Sequence, residues 1–410
     1  TWSPVFRDTS SFYHFVFSID TTQATDTNRV KFYVNGTQIT DTSAANWPVQ
    51  DQVMRGFAYS SGTTTQVFGT DMSSTSTSSR YEAGFILGGD AIWVDGSALA
   101  PTDFGEFNED TGIWTPIKPD VTYGNHGFRL EFKETGTSQN SSGMGADTSG
   151  NDSHWALKHS STITAAKNRQ IDVCTNDADN SLGNYATINP NAVNVAGNSD
   201  ATLSLGNLKA VYAADYAAEF TIARLTSGKY YWETKVSGTN LASTGVIQGS
   251  YYGSLDRSAN LNSTGIYYYN PYSGNKMKDG SGTSYGSAAS ADDILQCALD
   301  LDNDKIWWGI NNTWQNSGDP AAGTNAAYTD LTDTDYTPVL GYGSAGTIEL
   351  NCGQQALAYT PPTGFKTLNT ANLPTPTITK PTDYCDAIQY TGTGSELEIS
   401  SLSFQPGFVI

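Results

Sequence analysis

Short runs rich in Val, Ile, Thr and Tyr, each halted by an Asn-Gly, Asp-Gly or Ser-Gly pair, recur along this chain. Such punctuation constrains a chain to strands and tight turns. β-Branched and aromatic side chains pack on a pleated surface, and Gly and Asn supply the backbone a turn requires. Val30, Phe32 and Val34 alternate along one face, and Asn35-Gly36 follows them, a strong two-residue hairpin signal. Gln38-Ile39-Thr40 begins the returning strand. With 410 residues the chain exceeds one ordinary core, and roughly two to four domains are expected. Aromatics make up 12% of it, including 23 Tyr and 9 Trp, enough apolar surface for several cores. The expected fold class is all-β, built of tandem antiparallel β-sandwiches and the start of a further β module.

Charge and cysteine usage exclude several functions. Acidic residues outnumber basic ones 41 to 21, a net charge of −20, with no basic stripe to offset it, so nucleic acid is not an expected partner. Cys174, Cys297, Cys352 and Cys385 lie far apart without metal-ligand spacing, which argues against a zinc site and against a disulfide framework. Cys297 and Cys352 sit in apolar-alternating runs and are expected as buried free thiols. No run of about 18 apolar residues suggests membrane insertion. The chain starts at Thr1 without Met and ends in Phe408-Val409-Ile410, and it reads as a segment of something longer.

Three pieces follow one another. In residues 1–159, strands are expected over 12–20, 29–34, 83–87 and 91–94, with a short helical turn at Pro101-Thr102-Asp103-Phe104. Phe17-Ser18-Ile19-Asp20-Thr21-Thr22, the 29–36 stretch, and Asp95-Gly96-Ser97-Ala98-Leu99 leading into Pro101 resemble a concanavalin-A-like, laminin-G-like jelly roll. In that family these strands sit mid-domain, which implies that the opening strands lie upstream of Thr1 or come from elsewhere. The run from Asp103 to Trp114, with Pro116, Tyr123-Gly124, Gly127-Phe128 and Leu130-Glu131-Phe132 behind it, resembles long virion and tail-fibre proteins of marine bacteriophages. Ser149-Gly150-Asn151, a turn before Trp155, matches the same pattern.

Residues 160–200 read as an irregular connector, and residues 201–366 as a second sandwich. Gly228-Lys229-Tyr230-Tyr231-Trp232-Glu233, Ala298-Leu299-Asp300-Leu301-Asp302, Trp307-Trp308-Gly309-Ile310-Asn311, Asn351-Cys352-Gly353-Gln354 and Pro361-Pro362-Thr363-Gly364-Phe365 occur in that order. This order resembles a SPRY domain, which implies a bent antiparallel sandwich serving as a binding module. Asn311-Asn312-Thr313 departs from the family's Asn-Gly turn. A Pro-rich linker over 367–381 holds the chain extended, and 382–410 begins another β domain.

A search for chemistry finds little. Glu106, Glu109, Asp110, Glu396 and Glu398 lack the spacing of a glycosidase carboxylate pair, and the first three read as a solvated loop. His14, His126, His154 and His159 accompany no triad ordering and no metalloprotease helix, so catalytic residues are not expected. Asp300, Asp302 and Asp304 alternate beside Asn303. They read as a polar rim at a hairpin turn, and the alternative that their oxygens surround Ca²⁺ stays open, although the EF-type Gly and distal Glu are absent. The laminin-G-like resemblance adds Asp20, Asp26 and Asp95 as calcium candidates without fixing one. For recognition the best candidates are Tyr251, Tyr252, Tyr267, Tyr268, Tyr269 and Tyr272, whose rings suit stacking on sugar or docking of protein. Core or interface packing is the competing reading for the same rings.

The expected function is a non-enzymatic virion protein, a phage fibre or surface appendage on the extracellular particle. Its partners would be other virion proteins and a host-surface glycan or receptor. Analogy with such fibres implies a homotrimer. The rivals are a purely architectural decoration protein of capsid or tail, and a carbohydrate-active enzyme whose catalytic module lies outside this segment.

Overall fold

The computed structural model describes residues 12–40, 47–52, 90–109, 112–156, 183–192, 201–212, 215–237, 241–254, 261, 263–343 and 346–375, with isolated positions up to 405. Among them every regular element is a strand or a short 3-10 turn, so the described residues are all-β. No helix of the described residues is long and apolar enough to cross a membrane.

Among the described residues of the first 156, three small antiparallel sheets form. Strands β1 (Phe15–Ile19), β2 (Val30–Val34) and β3 (Thr37–Gln38) form one, with Phe17 opposite Phe32 in register. Asn35 (φ 46°) and Gly36 (φ 75°) make the turn between β2 and β3, as their side chains predict for a primed hairpin. β4 (Ala91–Trp93) pairs with β7 (Phe128–Leu130), and β5 (Gly105–Phe107) with β6 (Trp114–Pro116). The expected strand over 83–87 lies outside the described residues, as do those within 382–410. The 3-10 turn Pro101–Asp103 stands where the sequence places a short helical turn.

Residues 134–156 have few apolar side chains to bury and are organised by a carboxylate instead. Asp147 is buried, and its oxygens accept from the backbone N–H groups of Arg129, Ser149 and Ser153 and from the Ser149 hydroxyl. Trp155 closes the loop edge-on against Phe128.

The second half is a two-sheet sandwich. Its strands are β8 (Thr202–Ser204), β9 (Lys209–Tyr212), β10 (Asp215–Glu219), β11 (Lys229–Ser237), β12 (Ser243–Gln248), β13 (Ile266–Asn270), β14 (Asn275–Lys278), β15 (Ser281–Ser284), β16 (Ile294–Asp300), β17 (Lys305–Ile310), β18 (Thr313–Trp314), β19 (Tyr336–Gly343), β20 (Gly346–Asn351) and β21 (Lys366–Thr367). One sheet runs β10-β19-β12-β13-β14-β15, and the other β18-β17-β16-β11-β20-β9-β8, with β21 added in parallel beside β11. In β11, Tyr230, Trp232 and Val236 point between the sheets while Tyr231 points to the outer face, as a two-residue period requires. Trp232, Cys297 and Trp308 lie abreast across β11, β16 and β17. The Trp232 indole reaches across to the other sheet and donates to Thr244 Oγ1 at 3.0 Å.

Two boundaries differ from the sequence expectation. Tyr185, Ala186 and Ile188, placed in the connector, are core residues, and Ala186 donates its N–H to Leu368 O. Leu368 and Asn369, placed at the start of the linker, are fully buried. The reason is that one outer edge of β11 is completed by β21 and by the segment around Tyr185 that leans on it. Asn311 (φ 46°) and Asn312 (φ 65°) both adopt the left-handed backbone, so Asn-Asn replaces Asn-Gly without loss of the β17–β18 turn. Cys297 and Cys352 are buried free thiols, as expected.

Burial works against ionising Asp147, but the hydrogen bonds from Arg129, Ser149 and Ser153 outweigh it and hold its carboxyl below the ordinary 3.8. Its stabilisation is therefore complete above that value and is lost as pH falls through the lowered one. Asp147→Asn should cost about 1–3 kcal/mol of local stability near neutral pH. Hydrogen exchange in residues 143–156 should rise, and the acid loosening of wild type below its own carboxyl pKa should shrink.

Candidate functional site

Strand β13 presents Tyr267, Tyr268 and Tyr269 to alternate faces of its sheet. Tyr267 and Tyr269 point between the sheets, where Tyr267 meets Tyr328 and Tyr336 edge-on and Tyr269 stacks on Trp308. The Tyr269 hydroxyl donates to the backbone oxygen of Ser287. Tyr268 faces outward, yet Ile247, Leu261, Ile266 and Val339 enclose it. Gly245 opposite makes this possible, since a Cβ there would stand 2.6 Å from Tyr268 Cα and from its Cβ. Burial raises the phenols of Tyr268 and Tyr269 to about 12, so both stay neutral. For these three the packing reading is the one that burial supports, and they offer no surface for a ligand.

The other three tyrosines do not form a patch either. Tyr252 is half-buried and donates to Glu219 Oε1 at 3.2 Å. Tyr251, 39% exposed, lays its ring on Gly265, just before β13. Tyr272, 71% exposed, stands in the turn after β13, where its N–H donates to Asn270 Oδ1. The two exposed rings therefore sit at opposite ends of one strand, and the six candidates do not converge.

The aspartates are committed to the β16–β17 turn. Asp300 is buried, pairs with Lys229 Nζ at 2.8 Å and accepts from Asn303 Nδ2 at 2.9 Å. Asp302 Oδ1 accepts the Gly228 N–H at 2.7 Å. Asp304 takes the left-handed position of the turn (φ 59°), a conformation Asp tolerates better than most residues. No group of three His, Cys, Asp or Glu that could hold a metal ion occurs among the described residues. The hydrogen bonds favour the turn reading over calcium. Asp20 is likewise occupied, accepting from Thr22 and Gln23.

The structure does assemble a rim that sequence reasoning missed. Leu331 N–H donates to Asp304 O, bringing the 328–336 segment beside the β16–β17 turn. Asp333 Oδ2 accepts from Ser250 N–H at 3.1 Å and Ser250 Oγ at 2.5 Å, and these bonds hold its carboxyl below the usual range. Gly249 N–H donates to Asp335 O, and Arg224 clamps the junction by donating to Gly249 O at 2.8 Å and pairing with Asp335 at 2.9 Å. Gly249 is required, because a Cβ would stand 2.1 Å from Asp335 Oδ1. Lys278 pairs with Asp330 at 2.6 Å, which raises the ammonium's pKa. The rim thus fixes the 3-10 turn Gly249–Ser254 and presents Tyr251 from it. The signal in sequence was the spacing of Asp330, Asp333 and Asp335, but Arg224 and Ser250 are too distant along the chain to be paired with them by eye.

The contrast between these tyrosines is measurable. Tyr269→Ala should cost about 3–5 kcal/mol of stability, the usual loss for a buried ring. Tyr272→Ala should remain within about 0.5 kcal/mol of wild type. Thermal melts with added Ca²⁺ or with chelator should coincide, and a Ca²⁺-dependent rise that Asp300→Asn removes would reverse the assignment of these carboxylates to the turn.

The matches to known proteins fall on this sandwich. Residues 229–355 match the SPRY domain family. Among solved structures, the crystal structure of the SPRY domain of human HERC1 aligns at 18% identity, covering 38% of this chain and 94% of that one, with a TM-score of 0.31. No match to curated proteins was found. Within the second sandwich, residues 229–355 are similar to the SPRY domain family.

Proposed function

We propose that this chain is a non-enzymatic binding protein of a bacteriophage particle, a fibre or surface appendage whose SPRY sandwich grips a host-surface protein or glycan. SPRY domains are typically non-catalytic modules of protein–protein interaction, which supports the binding part of this reading. The observation that carries it is the stapled rim. Arg224, Asp333 and Asp335 fix the backbone around Gly249 and Ser250, so Tyr251 is offered in one orientation. A pre-set aromatic anchor ringed by polar groups loses little entropy on contact, and interfaces draw most of their energy from such residues. The marine-phage resemblance of residues 103–155 supplies the virion setting, and the jelly-roll resemblance of residues 1–159 supplies a lectin-like neighbour. Within this reading the chain works on the particle surface, beside other virion proteins and as a homotrimer.

A purely architectural role is the second reading, favoured by the apolar side chains that the first half leaves in solvent. Phe15, Phe17, Phe107 and Ile113 are all exposed. Clusters of this kind mark contact surfaces, and neighbouring virion subunits would cover them.

Purified chain should bind whole host cells saturably, with competition by soluble receptor fragment or free sugar. Tyr251→Ala should weaken that binding at least about tenfold, a loss typical of an interface hot spot. Its melting temperature should match wild type. Absence of cell binding, together with a particle map in which the rim is buried against other subunits, would support decoration instead.

A further inference from the structure

We propose that His14 and Trp114 form an acid-released latch that holds the β5–β6 hairpin against the β2–β3 turn. Trp114 begins β6 and is buried, although its hairpin neighbours Phe107 and Ile113 are exposed. Its ring lies on two glycines from different elements. A Cβ on Gly36, in the β2–β3 turn, would stand 2.3 Å from the ring, and one on Gly105, at the start of β5, 2.5 Å. The ring therefore docks the hairpin onto the first sheet, and Phe107 packs edge-on against it at 5.0 Å.

One polar bond fixes that ring. Trp114 Nε1 donates to His14 Nδ1 at 2.8 Å, with the two rings stacked at 6.1 Å. An indole N–H is a donor only, so the bond exists only while His14 Nδ1 carries no proton. His14 is itself held by exchange with the turn: its N–H donates to Asn35 Oδ1 and its carbonyl accepts from Asn35 N–H. Protonation places N–H against N–H and a charge in a half-buried site, and the latch loses its bond as well as its neutral filling.

The neighbouring elements offer that charge little help. Tyr13 flanks His14 just before β1, Lys31 and Tyr33 lie on β2, and Glu106 lies on β5, while β6 and the β2–β3 turn contribute no charged side chain. Burial is the cause that lowers the His14 pKa from 6.5. A histidine depressed in the folded state stabilises the fold fully above its unfolded value, and that contribution is lost as pH falls from 6.5 through the folded value. This window opens at 6.5, above the 3.8 at which that of Asp147 opens.

Hydrogen exchange of full-length chain, corrected for the intrinsic rate, should be compared at about pH 7.5 and about pH 5, which bracket ordinary histidine titration. Exchange in residues 104–117 should rise severalfold at the lower pH, because the open hairpin binds the proton that the latched state excludes. His14→Gln keeps an oxygen acceptor that does not titrate, and it should hold the hairpin closed at both values. Unchanged exchange in wild type, or the same acid response in His14→Gln, would overturn the latch. Should His14→Gln be open at both values, the Trp114 indole N–H resonance of unmodified protein, identified with Trp114→Phe, decides. It should move with the same midpoint as the His14 imidazole, below 6.5; an indole signal that stays fixed while His14 titrates refutes the proposal.

Discussion

Strand β11 is buried on both faces, and the second half of the chain is arranged around that constraint. Between the sheets, Trp232 sits abreast of Cys297 and Trp308, and Phe220 packs edge-on to it at 5.8 Å. On the outer side Tyr231 joins Ala298, Trp307 and Phe365 in a second apolar layer. Each fully buried ring of this size contributes on the order of 1.5–3 kcal/mol over exposure, so a strand that buries several cannot slip by one residue without exchanging its two faces. Register here is therefore fixed by packing.

A strand buried on both faces must also dispose of its polar groups, and Glu233 shows how. Its carboxylate is buried on the outer side and accepts from Tyr231 Oη, Ala358 N–H and Tyr359 N–H at 2.8–2.9 Å. Tyr231 Oη in turn accepts from Gln296 Nε2, and Gln296 Oε1 accepts the Asn312 N–H at 2.6 Å. One network thus ties the β17–β18 turn and the 355–359 segment to the central strand. Asp335 performs the same service on the opposite rim through Arg224. Exposed loops must be held by something other than apolar burial, and in this sandwich carboxylates do it.

Strands were legible in the sequence because period-two alternation and turn chemistry are local. The β1–β2 pair, the Asn35-Gly36 turn and the β16–β17 hairpin stand where those signals lie. The tyrosine run was harder to read. Three consecutive rings at 267–269 must point to both faces, and a sequence does not reveal that Leu261 and Met277 cover the outward one. Tyr185 and Ile188 were likewise hidden in a polar stretch, since a core residue contributed by an irregular segment has no periodicity. For Asp300 the calcium alternative to the turn reading stays open in the sequence because its partner, Lys229, begins a different strand. Long-range pairing, which decides whether a charge is free or spent, is what single-sequence reasoning cannot supply.

The rim is an extension of the core, and it pre-sets Tyr251. Native-state hydrogen exchange with graded denaturant tests this directly. The amides of Gly249, Leu225 and Tyr336, whose bonds join the rim to β19, should open with the same denaturant dependence as those of β11. If β11 stays fully protected while these three exchange through small, denaturant-independent openings, the rim is a loose loop and does not pre-set Tyr251.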